Sequence, residues 1–450
     1  MDIKEVCKKI EASGHRRVKV AITDIDGILR GKFIHKDKLF SSLEDGFGFC
    51  NVVFGWDSND VCYDNSKFAG WHTGYPDALV KLDRATLRNI PWEKGLPFIL
   101  GDFVTKSGDL LPVCPRAVLK KQIAKLAAHG YEAKVGVEFE WFNFHEDAHS
   151  LREKNFQEMN PITPGMFGYS ILRAGQNAEF FGALMDQLLD ANVPIEGLHT
   201  ETGPGVFEAA IAASDALEAA DRAVIMKSGT KEIAHGFGIV PTFMARWSSD
   251  LPGSSGHIHQ SLLVDGVNVF FDKNAPHNMS EIFKSYLAGI LELLPDLALM
   301  FAPTVNSYKR LVEGFWAPTR SLWGVDNRTV ACRVIPGSVK STRLEVRAGG
   351  ADINPYLAIA ACLAAGAYGI ANKLPLNIAA VEGNGYENKS GAKLPGSLIE
   401  AVTKFQRSKV VTELFGAEFV DHFAASREWE WRQYQQSVTD WELKRYFEII

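Results

Sequence analysis

The stretch Val135-Gly136-Val137-Glu138-Phe139-Glu140-Trp141-Phe142 decides how this chain is read. Its β-branched and aromatic residues favour an extended strand, on which side chains two apart share a face. Glu138 and Glu140 therefore point one way, while Val137, Phe139 and Trp141 point the other way, into a core. Two carboxylates ~4 Å apart repel by about 4 kcal/mol at an effective dielectric of about 20. An apolar strand keeps such a pair where a cation, a basic residue or solvent compensates. Taken alone, a strand edge with a wet face is the simpler reading, and the rest of the chain reverses that preference.

Further segments repeat the pattern. Gly256-His257-Ile258-His259-Gln260-Ser261-Leu262 sets two histidines on one face and Ile258 on the other. Arg343-Leu344-Glu345-Val346-Arg347 sets Glu345 between two arginines. His199, Glu201 and Glu208 surround Gly203-Pro204-Gly205. Asn306–Arg310 and Asp326–Arg333 add arginines suited to carboxylate or phosphate recognition. Each segment alone reads as structural. Together they predict polar strand faces lining one cavity, with five Glu and one His as ligands for a hard cation and arginines around them. Oxygen-rich sites with one imidazole suit Mg²⁺ or Mn²⁺, and such metals beside arginines are the equipment of phosphoryl transfer. No Walker loop occurs, and no GxGxxG follows a strand, so a nucleotide needs a site of another kind.

At 450 residues the chain can bury a large core, and two domains are expected. The balance of 48 Lys+Arg against 54 Asp+Glu, with no basic block, argues against a nucleic-acid partner. Six scattered cysteines without a CxxC pair suit a reducing compartment. The N-terminus has no apolar signal region, and the Ala- and Gly-rich run Tyr356–Ile370 is too short to span a bilayer. A soluble, cytoplasmic protein without a membrane partner is expected, with 356–370 a buried helix.

Along the chain, Val18–Ile34 reads as a hairpin about Asp26-Gly27, residues 39–80 as loops, and Phe98–Val104 as a strand. A small β-rich domain is expected over 1–105. Helices are predicted from Pro115 to about Gly130 and over 178–191, 214–235, 283–298 and 355–371. The stretch 400–447 is amphipathic and helical. These belong to a larger α+β domain over 106–450.

The chain resembles the glutamine synthetase superfamily, and its γ-glutamyl-amine ligase branch more closely, over essentially its whole length. The matching words are VGVEFEWF at 135–142, HTETGPGVFE at 199–208, GSSGHIHQSL at 253–262, NSYKRLVEGFWAP at 306–318, DNRTVACRV at 326–334 and RLEVRAGGADINPYLAIAA at 343–361. The resemblance implies an α+β architecture. An N-terminal β-grasp domain would precede a catalytic domain whose curved antiparallel sheet, flanked by helices, forms a funnel for ATP at one end and glutamate at the other. It implies Glu140, Glu201 and Glu208 as ligands of a metal on the glutamate side. Glu138, His257 and Glu345 would hold the metal on the nucleotide side, for two or three Mg²⁺ or Mn²⁺ ions per site. Arg310, Arg328 and Arg347, with Glu201, would handle glutamate and phosphate. His259, Ser261, Arg333, Lys340 and Arg343, with Glu196, would face ATP. Asp57 approximates the family's ammonium-site aspartate, and together with Arg310 and Arg328 it is a catalytic candidate. The implied assembly is a homo-oligomer of hexameric rings, a dodecamer, with Asp57 reaching a neighbour's site.

The departures from the family are informative. Gly253-Ser254-Ser255-Gly256 replaces the usual Gly-Ser-Gly-Met, and Tyr386 lies in a stretch unlike the adenylylation loop. Trp316 stands where glutamine synthetases carry a flap glutamate. An indole cannot hold ammonium or take its proton, so the expected acceptor is a small organic monoamine. Phe54, Trp56, Phe315 and Trp316 are its candidate wall. Glutamine synthesis from ammonia, or a non-catalytic role within the superfamily, is the alternative.

Overall fold

The computed structural model describes all 450 residues as two sheets backed by helices. The first sheet contains β1 (Arg17–Thr23), β2 (Leu29–His35), β3 (Phe47–Cys50), β4 (Asp77–Leu82), β5 (Arg88–Ile90) and β6 (Leu96–Val104). The strand order is β2-β1-β6-β4-β3, with β5 beside β6. The expected hairpin is present, pairing Val18 with Ile34 and Ala21 with Gly31. β1 runs parallel to β6. Part of the region read as loops is ordered differently: Lys36–Ser42 is a helix, and β3 and the start of β4 lie within 39–80. These elements are too short for a periodic pattern to emerge.

All nine residues of β6 are buried. Ile99 and Phe103 enter a cluster of 18 buried apolar residues that also holds Val6, Leu39 and Val80. Phe98 and Leu100, on the other face, join a larger cluster of 78. The strand is thus covered on both sides, which explains its near-continuous apolar sequence. The boundary at 105/106 falls just past β6. We propose that it separates the domains, although Val113, Cys114 and Ala117 contribute to the small core.

The second sheet begins with β7 (Glu132–Phe144), β8 (Ile195–Thr200), β9 (Val206–Asp215), β10 (Val240–Thr242) and β11 (Gly256–Val264). It continues with β12 (Val267–Asn268), β14 (Trp323–Val325), β15 (Cys332–Ile335) and β16 (Arg343–Val346), whereas β13 (Arg320–Ser321) lies in a separate small pair. The order β14-β15-β16-β11-β7-β9-β8 is antiparallel except at β14/β15, and the sheet curls into a half-barrel. The predicted helices appear as Pro115–Ala128, Ala178–Asp190, Ala216–His235, Glu281–Phe301 and Pro355–Ala371. Two of them cross closely: a Cβ on Gly289 would lie 2.2 Å from the Ala365 carbonyl oxygen, so glycine is required there. The C-terminal stretch is four helices, broken where Ser408 caps Lys409–Phe415 and where Gly416 adopts a φ of +86°. No helix is long and apolar enough to cross a membrane.

One buried cation ties the layers together. The Arg116 guanidinium donates from Nε to Asp221 (2.9 Å) and from Nη1 to Asp102 (2.7 Å). Its Nη2 donates to Asp221 (2.8 Å) and Asp83 (2.9 Å). Asp221 also accepts from the Tyr356 hydroxyl at 2.6 Å. Removing one partner of a buried ionic cluster leaves charges unpaired, which costs about 3–5 kcal/mol. Arg116→Met should therefore lower the denaturation midpoint strongly, by equilibrium urea unfolding at pH 7, whereas a change of under about 1 kcal/mol would show that the cluster is bystander chemistry.

Candidate active site

Register turns separate segments into one polar surface. Across β7/β11, His257 opposes Glu138; across β11/β16, His259 opposes Glu345; across β15/β16, Arg333 opposes Glu345. On the other side, Glu140 opposes Glu208, which opposes His199 on β8. The alternate residues Val137, Phe139, Trp141, Ile258, Leu344 and Val346 are all in the large core. The facing directions expected from the opening stretch therefore hold.

The concave face bounds a cavity of about 660 Å³. It brings together Glu138, Glu140, Glu201, Glu208, His257 and Glu345, all six residues expected as metal ligands. Arg310, Arg328, Arg333, Arg343, Arg347 and His259 line it as well, as do Phe315 and Trp316. Glu196 is exposed on β8, Ser261 lies farther along β11, and Lys340 is exposed in the turn before β16; none lines the cavity. Asp57 lines a different cavity, of about 430 Å³. Its Oδ2 accepts from the Trp429 indole (2.9 Å) and its Oδ1 from the Asn59 and Val61 amides.

Two of the expected wall residues are elsewhere. Phe54 is fully buried, edge-on to Phe68, Phe103 and His422, so it belongs to the N-terminal core and presents no surface to a substrate. Trp56 packs against the same core with the Arg30 guanidinium over its ring. An aromatic in a polar loop can anchor that loop from below as readily as it can face solvent. Tyr169 was missed altogether: it lines the cavity, stacked on His199 with centroids 4.4 Å apart. A lone tyrosine in an irregular segment carries no periodic signal.

The two ends of the cavity differ electrostatically. At one end, Glu345 accepts from Arg333 Nη1 (2.9 Å) and pairs with Arg347, and His257 Nδ1 lies 3.3 Å away. Burial opposes ionisation there, but His257, Arg347 and His259 outweigh it and hold Glu345 at about 2. Glu138 is likewise held well below the usual carboxylate range, against burial, by His259 and His257. At the other end His199 lies 3.2 Å from Glu201 and helps hold it below the usual carboxylate range, but 3.9 Å from Glu208. Burial, then the Glu140, Glu138 and Glu201 carboxylates, push Glu208 up to about 10.

The donors fit a hard divalent cation. Ligand atoms of Glu138, His259 and Glu345 lie within 4.8 Å of one another, as do those of His199, Glu201 and Glu208. His257 Nε2 is buried with no hydrogen-bond partner. Carboxylate oxygens with few imidazoles match Mg²⁺ or Mn²⁺. The Gly253-Ser254-Ser255-Gly256 turn serves this surface, since the Ser255 amide donates to Glu140 at 2.7 Å. A Cβ on Gly253 would meet the Arg310 side chain at 2.7 Å. Arg310, fully buried, donates to the Ala348 carbonyl (3.2 Å), and Arg347 Nε has no partner, leaving a buried donor for an anion.

The profile of the glutamine synthetase catalytic domain matches residues 112–446. This chain belongs to the glutamine synthetase family. It is 53% identical over 450 residues to Type-1 glutamine synthetase 2 of Dictyostelium discoideum, covering 99% of this chain and 86% of that one. It is 37% identical over 445 residues to a glutamate–isopropylamine ligase of a Pseudomonas species, covering 98% and 97%. The solved GmaS–ADP complex superposes with a TM-score of 0.86 at 26% identity, over 98% of this chain and 99% of that one. The family uses ATP and divalent metals, in line with the donor clusters of this glutamine synthetase fold.

Because Glu208 is raised from 4.5 to about 10, the cation-free native state binds more protons than the unfolded chain between those values. Its stability should fall as pH rises through that window, and a cation must expel the proton. Calorimetry in buffers of different ionisation enthalpy should show proton release on Mn²⁺ binding and an affinity that rises from pH 6 to 8. A pH-independent affinity without proton release would contradict this electrostatic account.

Proposed function

We propose that the protein is an ATP-dependent ligase that joins the γ-carboxylate of glutamate to a small organic amine. The observation that carries this reading is the cavity wall at 315–316. Trp316 and Phe315 line it where glutamine synthetases present a flap carboxylate. The acidic residue of the same segment, Glu313, instead pairs with Lys389 at 3.0 Å on the surface. The family relationship and the likeness to named amine ligases support the same assignment.

The residues divide the work as follows. Glu138, His257 and Glu345 would hold one divalent ion and Glu140, Glu201 and Glu208 another. Bound ions would neutralise the phosphates of ATP and draw electron density from the γ-phosphorus. Arg310, Arg328 and Arg347 place positive charge where glutamate and phosphate meet. A glutamate γ-carboxylate oxygen attacks the γ-phosphorus and ADP leaves, giving γ-glutamyl phosphate. The amine nitrogen then attacks the acyl carbon, phosphate departs, and the nitrogen loses a proton to leave an amide. Glu140→Ala and Glu345→Ala should each abolish turnover while the fold is retained, by steady-state ADP release and circular dichroism. More than a few per cent residual activity would remove that residue from the metal set.

Asp57 lines its own chain's other cavity, so a catalytic role for it requires a neighbouring subunit. We therefore propose that the working unit is a homo-oligomer of hexameric rings. Mixing inactive Asp57→Ala and Glu345→Ala subunits should restore activity in mixed rings, and an active monomer by sedimentation would refute the assembly.

Ammonia is the competing acceptor, favoured by the name of the 53% identical relative. Trp316 offers a cation–π face worth ~0.5–2 kcal/mol to any ammonium and, beyond that, an apolar wall for an alkyl or aryl substituent that ammonium lacks. The wild-type kcat/KM should be higher for methyl-, ethyl-, isopropyl- or arylamine than for ammonium, and Trp316→Glu should shift the ratio toward ammonium. Ammonium as the best wild-type acceptor would restore ordinary glutamine synthesis.

A further inference from the structure

The segment bearing this aromatic wall has almost no backbone support. Residues 313–316 form a local turn, and no main-chain hydrogen bond joins 313–317 to another element. Two of its residues have positive φ, +84° at Gly314 and +59° at Trp316, the latter in a region that bulky side chains rarely adopt. Side chains must therefore hold it in place. Glu313 is tied to Lys389 at 3.0 Å on the outer surface, where solvent weakens an exposed pair. On the inner side lies Phe315, with the Arg246 guanidinium carbon 4.5 Å from its ring centroid.

Arg246 is itself unusually fixed. Its Nε donates to the Ser248 carbonyl (3.0 Å), its Nη1 to the Lys309 carbonyl (2.8 Å) and its Nη2 to the Ser249 carbonyl (2.6 Å). Its main-chain amide donates to Asn306 Oδ1 (2.8 Å), and Asn306 Nδ2 donates back to the Arg246 carbonyl (2.7 Å). Hydrogen bonds thus occupy the edge of the guanidinium plane and leave its face for the ring. The carbonyl of Lys309 precedes Arg310, which lines the cavity, so one side chain fastens both the arginine-bearing turn and the aromatic wall.

We propose that Arg246 is a positioning residue for the ligase reaction: it docks Phe315, and through it Trp316, over the cavity so that γ-glutamyl phosphate meets the amine before water. The inference rests on the proposed acyl-phosphate chemistry, but not on the choice of acceptor. When the wall is loose, a water oxygen attacks the acyl carbon, the bond to phosphate breaks, and glutamate and phosphate are released. The cycle then consumes ATP without making amide.

The test measures ADP released per amide formed, together with the KM values for amine and ATP, using the best acceptor of the wild type. Arg246→Met should raise the ratio of ADP to amide and the KM for amine by about 2- to 30-fold, the range set by loss of one cation–π contact, with the KM for ATP little changed. Arg246→Lys, which keeps the charge but not the plane, should rescue little. Phe315→Leu leaves every hydrogen bond of Arg246 intact, so it should fold, and it should reproduce the uncoupling. The Arg246→Met/Phe315→Leu double variant should add little to either single change. Tight coupling in folded Phe315→Leu, or additive effects in the double variant, would overturn the proposal. A wild type that makes no amide from any amine or ammonia would instead refute the function on which it rests.

Discussion

The structure depends on one constraint: carboxylates that repel one another must share a concave face while the same strands fill a core. The period of two along β7 meets both demands, sending Glu138 and Glu140 inward and Val137, Phe139 and Trp141 outward. A slip of one residue would bury the glutamates among 78 apolar side chains and expose the aromatics to the cavity. Core packing and site geometry are therefore fixed by one register. The pairs Glu138/His257 and Glu140/Glu208 follow from it.

The repulsion is relieved unevenly. Histidines and arginines compensate Glu138 and Glu345, which stay ionised against the cost of burial. Glu208 is pushed up to about 10 by burial and by Glu140, Glu138 and Glu201, with His199 no nearer than 3.9 Å. Where basic side chains compensate some carboxylates but leave Glu208 among three others, the demand for a cation is strongest at Glu208. This polarity was not legible from the sequence, because it depends on which charges lie across strands rather than on which are present.

What could be read in the chain was whatever has a period or a short fixed spacing. Alternation exposed the faces of β7, β11 and β16, and Pro115 marked the start of its helix. What escaped was held by tertiary contact alone. Tyr169 earns its place only through stacking on His199, Phe54 turned inward among Phe68 and Phe103, and β3 is four residues long. The contacts of Asp57 are of the same kind: its oxygens are engaged within its own loop and by Trp429.

On the proposed reading, position 316 is where one fold can host different acceptors. Its φ of +59° strains a glutamate and a tryptophan alike, so the backbone conformation belongs to the segment and not to the side chain it carries. A φ in this region costs a residue of order 1–3 kcal/mol, which the surrounding structure must offset. Side chains flanking residue 316 hold the segment: Phe315 on Arg246 and Glu313 on Lys389. Those contacts do not involve the indole. The side chain at 316 can therefore change from an acid to an indole without disturbing the six carboxylate and histidine positions below it. On the proposed reading, phosphate chemistry is set by the curved sheet, and the fate of the acyl group by a segment fastened separately at its margin.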